Sequence, residues 1–69
     1  MENRRERFRR VASKRTNEIM EKIRILGNCS NKSSYEYSQE EISKIFSTIE
    51  RQLKNTKAKF TSKREKFSL

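Results

Sequence analysis

The stretch GNCSNKSSYEYSQEE, from Gly27 to Glu41, separates two long segments in which neither glycine nor proline occurs. It reads as a helix stop, a structured connector and a helix start. Gly27 follows an apolar run and suits the left-handed C′ position that ends many helices. Ser38 and Glu41 have the spacing of a capping box, in which hydroxyl and carboxylate each accept a backbone N–H orphaned at a helix N-terminus. Tyr37 and Ile42 stand at the N′ and N4 positions of a hydrophobic staple around that box. Between stop and start, the asparagines and serines satisfy their own backbone through local turns, so the connector reads as an ordered loop. Tyr35 and Tyr37 alternate around Glu36 and point to opposite sides if the segment is extended. Tyr35 then either covers the end of a core or is exposed, where it stacks on a base or fills a protein pocket.

On either side of this connector the apolar residues keep helical time. Phe8, Val11, Ala12, Thr16, Ile19, Ile23 and Leu26 recur every three or four residues, with Met20 and Ile25 widening the stripe. That spacing predicts a helix over about 3–26, roughly 36 Å long at 1.5 Å per residue. Ile42, Ile45, Phe46, Ile49, Leu53, Thr56 and Phe60 predict a second over about 38–60, with the connector at 27–37. Residues 61–69 read as a frayed polar tail, in which Phe67 and Leu69 extend the stripe or anchor on a partner. The expected fold is all-α and a single domain over 1–69: an antiparallel hairpin of two long amphipathic helices. One helix–helix interface buries little. Half-buried apolar side chains do not offset the chain entropy of so short a protein. Two hairpins are therefore expected to pair into a four-helix bundle, or one hairpin to gain its stability on a partner.

Charge narrows the class of partner. The chain carries a formal net charge of +9, with 39% of its residues charged and 30% hydrophobic. Such a composition approaches that of disordered chains, and only the periodicity argues for folded helices. The balance favours anionic partners, nucleic acid above all. Placement says more than the total. Arg4, Arg5, Arg7, Arg9 and Arg10 crowd the first two turns, beside the positive end of the helix dipole, where acidic residues would stabilise. Glu2 and Glu6 offset this in part, and the arm is expected to fray when free and to order on a partner. The second helix obeys the dipole, with Glu40 and Glu41 in its first turn and Lys57 and Lys59 near its last. Its lysines need no functional reading, although Arg51, Lys54 and Lys57 form a positive outer face. In a hairpin, the arginine arm and the end of the second helix share one strongly positive pole. The candidate binding residues are Arg4, Arg5, Arg7, Arg9, Arg10, Lys14, Arg15, Tyr35, Arg51 and Lys54. Arginine suits the task because its planar fork binds phosphate bidentately and stacks on bases.

Other functions find no footing. Cys29 stands alone and there is no histidine, so neither an internal disulfide nor a Cys/His zinc site is expected, and no cofactor. No nucleophile–base pair is visible, the carboxylates have capping, dipole or pairing explanations, and no enzyme or small-molecule substrate is expected. Asn28 and Asn31 each open a glycosylation sequon, which means little without an apolar secretory leader. No apolar run reaches membrane-spanning length, so the expectation is a soluble, cytoplasmic protein with no membrane partner.

The run RILGNCSNKSSYEYSQEEISKIFSTIE, followed by KAKF, resembles a group of small proteins encoded on mobile elements of Gram-positive bacteria: phages, plasmids and conjugative elements. The resemblance covers roughly Val11 to Phe60, leaving the arginine arm outside it. It implies a cytoplasmic bacterial setting and an accessory role, and assigns no functional residues. Two readings follow. In the first, a non-enzymatic basic helical protein acts through its arginine pole on nucleic acid or on a nucleic-acid-bound host effector. The connector is too long for a helix-turn-helix, so phosphate-dominated binding is expected over base readout. The alternative is a protein-directed inhibitor of a host defence nuclease of the anti-CRISPR type, or else a structural helical oligomer; a homodimer is compatible with each.

Overall fold

The computed structural model of the chain describes residues 1–61. It is all-α, with two long helices: α1, Arg4–Gly27, of 24 residues, and α2, Gln39–Thr61, of 23. A short 3₁₀ turn, Asn28–Ser30, follows α1 directly. The chain divides into two compact units, Met1–Glu36 and Tyr37–Leu69. The expectations for Phe67, Leu69 and the rest of the tail after Thr61 lie outside the described residues.

In the first unit, α1 is built largely from good helix formers, Arg, Glu, Lys, Met, Leu and Ala among them, without an interior breaker. Its last turn carries an Arg24–Glu21 ion pair, with Arg24 Nε donating to Glu21 Oε1 at 3.2 Å. The stop differs from the one expected. Gly27 is the last helical residue, at φ −60° and ψ −25°, and no described residue has a positive φ. The helix ends by tightening: the Asn28 N–H donates to the carbonyls of both Ile25 and Leu26. The Ile25 carbonyl thus accepts a bond of 3₁₀ type, the Leu26 carbonyl shares the same N–H, and no left-handed cap is required. A Cβ at Gly27 would meet nothing within 4 Å. Gly27→Ala is therefore expected to raise stability by about 0.4–1 kcal/mol, through lost freedom of the unfolded chain. A fall in melting temperature would instead restore the left-handed cap.

Asn31 then organises the connector. Its carbonyl accepts from the Ser34 and Tyr35 N–H groups at 3.1 and 3.0 Å, and its Oδ1 accepts from the Ser33 N–H at 2.9 Å. This is the Asx-type turn that the run of Asn and Ser suggests.

The second unit opens on the capping box. Ser38 Oγ accepts from the Glu41 N–H at 3.1 Å, Glu41 Oε1 accepts from the Ser38 N–H at 2.8 Å, and the Ser38 carbonyl accepts from Ile42 at 3.1 Å. Tyr37 and Ile42, at the staple positions, are both half-buried. Ser38→Ala and Glu41→Ala are each expected to lower stability by about 0.5–2 kcal/mol, because each orphans one backbone N–H. Thermal melts that coincide with the parent's for both variants would deny the box its role. Further along, the Thr48 hydroxyl donates to the Lys44 carbonyl at 2.8 Å, which lets a β-branched polar residue sit within the helix.

No described residue is buried in either unit. Val11, Ala12, Leu26, Ile42 and Ile49 reach half-burial, whereas Ile19, Ile23, Phe46, Leu53 and Phe60 stay exposed along the stripes. Each helix therefore presents apolar area that its own unit leaves in water. That area is what drives association in a water-soluble helix.

Candidate functional site

The arginine arm belongs to α1 from its first turn. Asn3 is the N-cap: its Oδ1 accepts from the Glu6 N–H at 2.8 Å, and Glu6 Oε1 accepts from the Asn3 N–H at 3.2 Å. The Asn3 carbonyl takes the first helical bond, from the Arg7 N–H at 2.9 Å. This second capping box offsets the unfavourable dipole placement and counters the fraying expected of the arm. Its signal, Asn-x-x-Glu, matches that of Ser38 and Glu41, but it escapes a reading that weighs only the arginines around it.

Glu2 sorts the five arginines into two groups. Arg10 grips its carboxylate side-on through one edge of the guanidinium, Nε donating to Oε2 at 2.8 Å and Nη2 to Oε1 at 3.0 Å. Arg7 Nε lies 3.9 Å from the same carboxylate. The Arg10 hydrogen bond holds the Glu2 carboxyl below its ordinary range, against a small opposing effect of desolvation, and raises Arg10 in turn. The sign follows: any stability from the pair is present above the unfolded carboxylate pKa and is lost as pH falls through the lowered folded one. At neutral pH Arg7 and Arg10 are thus partly neutralised. Arg4, Arg5, Arg9, Lys14 and Arg15 are exposed and form no ion pair or side-chain hydrogen bond with any described residue.

Phe8 stands among these cations, 57% exposed. With Arg9, Ala12 and Thr16 it lines a shallow hollow on α1. Tyr35, in the connector of the same unit, is 53% exposed, so the exposed alternative for it holds. Arg51 and Lys54 lie on α2, three residues apart and exposed, with no ion pair among the described residues.

Compared with known proteins, the chain matches no family model, no curated sequence and no solved structure. The chemistry of the arm must carry the functional reading. Guanidiniums that lack carboxylate partners retain their full donor capacity, and their forks match phosphate oxygens. Among the described residues no group of three or more His, Cys, Asp or Glu is placed to hold a metal ion. No described helix is long and apolar enough to cross a membrane.

Proposed function

We propose that this protein is a non-enzymatic nucleic-acid-binding protein, accessory to a mobile element, which engages phosphates through the N-terminal half of α1. One observation carries the reading: Arg4, Arg5, Arg9, Lys14 and Arg15 project from a single capped helix with no ion-pair partner among the described residues, in a chain of net charge +9. Concentrated positive charge without local compensation is costly to keep unless an anion answers it, and counterion release then supplies the affinity. Exposed apolar stripes on both helices support an antiparallel hairpin that pairs with a second copy into a four-helix bundle. Pairing of that kind would hold the arms in a defined array.

Titration of labelled DNA and RNA at several salt concentrations tests this directly. Affinity should fall steeply and linearly in log–log form as salt rises. If the parent protein binds no naked nucleic acid at low salt, yet captures a host nuclease in pull-downs that survive nuclease treatment, the inhibitor reading takes its place.

A further inference from the structure

Five residues of the α1 stripe keep a stricter period than helical spacing alone demands. Ala12, Ile19 and Leu26 stand seven residues apart, and Thr16 and Ile23 form the companion row, offset by four. A seven-residue repeat in two rows is the pattern of a seam between helices that coil around each other. Traced toward the N-terminus, the first row continues into Arg5 and the second into Arg9. These two arginines have no ion-pair partner among the described residues, whereas Glu2 engages Arg7 and Arg10, which lie off the seam rows. A single uninterrupted helix, capped at Asn3, thus carries one face that is apolar from Ala12 to Leu26 and cationic at Arg9 and Arg5.

Arginine at consecutive seam positions forbids the seam from continuing. In a parallel pair of copies each would face its own counterpart, and in an antiparallel pair each would be buried against apolar side chains; both place an unpaired charge in low dielectric. The cost disappears if the two helices diverge beyond Ala12 and a polyanion fills the gap. From the arginine rows, and from Arg5 and Arg9 having no ion-pair partner among the described residues, we infer that two copies of α1 straddle duplex DNA, with Arg5 and Arg9 facing the major groove. Continuous basic helices that fork over DNA from a helical dimer have this geometry.

Shape selects the duplex over other polyanions. An α-helix with its side chains is about 10–12 Å across, and a major groove about 12 Å wide admits it. The deep, narrow groove of A-form RNA does not. Single strands are held by rows of aromatic side chains, and the arm offers Phe8 alone. The inference rests on the nucleic-acid reading above and adds the class of nucleic acid, the stoichiometry and the residues at the groove.

Its test compares two double variants of equal charge, Arg5→Gln with Arg9→Gln, and Arg7→Gln with Arg10→Gln. Each is titrated by fluorescence anisotropy against duplex DNA of about 20 base pairs, two helical turns. The parent is also titrated against the corresponding single strand and duplex RNA, and its complex is weighed by sedimentation. The expected result is two chains per DNA duplex. Preference over the other two polymers should be about tenfold or more, and the Arg5/Arg9 variant should lose about tenfold more affinity than the Arg7/Arg10 variant. Circular dichroism checks that helicity is kept. If the first variant loses it, Arg5→Lys with Arg9→Lys must retain helicity and bind more tightly than Arg7→Gln with Arg10→Gln. Equal losses in the two Gln variants, one chain per duplex, or equal affinity for single strands or duplex RNA overturns the inference while the broader reading stands. Absence of binding to all three polymers by the parent removes both.

Discussion

Replacing Arg4, Arg5, Arg7, Arg9 and Arg10 together by Gln is expected to abolish tight nucleic-acid binding while leaving the fold nearly unchanged. The slope of log affinity against log salt should shrink by about 0.7–0.9 for every phosphate the arm no longer neutralises, and affinity at moderate salt should fall roughly a hundredfold or more. The part of the loss that comes from phosphate contacts should be uniform across sequences, because phosphates carry no base identity. Stability responds in two opposed and small ways. Removing arginines from the first two turns relieves the clash with the helix dipole, whereas removing Arg7 and Arg10 releases Glu2 from an exposed ion pair. Gln keeps good helix propensity, and the Asn3–Glu6 box is untouched. Melting should therefore match the parent or rise slightly. If the variant retains both the affinity and the salt slope of the parent, phosphate binding by the arm is wrong. A variant that binds weakly only because it has unfolded would show its failure in circular dichroism.

The second large effect concerns association. Helices of this length without an Ala-rich sequence are marginal when isolated in water, and no described residue here is buried by its own unit. Folding is then expected to depend on the proposed pairing of stripes, so the melting temperature should rise with protein concentration. Ile19→Asp on α1 and Leu53→Asp on α2 place a charge in each stripe. Either should cost about 3–5 kcal/mol in the assembled state, a large part of the roughly 5–15 kcal/mol available to a typical domain. Loss of helicity at micromolar concentration, with a shift to monomer in sedimentation, is the expected outcome for both. A helical monomer in the parent whose melt is independent of concentration would exclude obligate association.

Much of the local structure was legible in the amino-acid order. The two helices follow from apolar spacing and the lack of interior breakers. The start of α2 follows from Ser38 and Glu41, and the Asn31 turn from the habit of asparagine to bond its own backbone two residues on. These are short-range effects, decided within four residues, and neighbouring side chains suffice to determine them. Gly27 marks where that reasoning fails. Glycine permits the left-handed conformation without requiring it, and the choice fell to whichever bonds satisfied the last carbonyls; those came from Asn28 in a right-handed turn.

The division of the arm depended on three-dimensional structure. Five arginines in two turns look equivalent as text. In space Glu2, eight residues before Arg10, folds back to engage it and approaches Arg7, leaving Arg4, Arg5 and Arg9 without carboxylate partners among the described residues. An interaction across eight residues depends on how the chain enters the helix, which the Asn3 cap sets and which residue spacing alone does not specify. Sequence by itself determined that this protein is helical, basic and furnished with apolar stripes, because periodicity and charge are properties of the order of residues. Tertiary structure decided which cations a carboxylate answers among the described residues and which it does not, because that depends on distances between side chains.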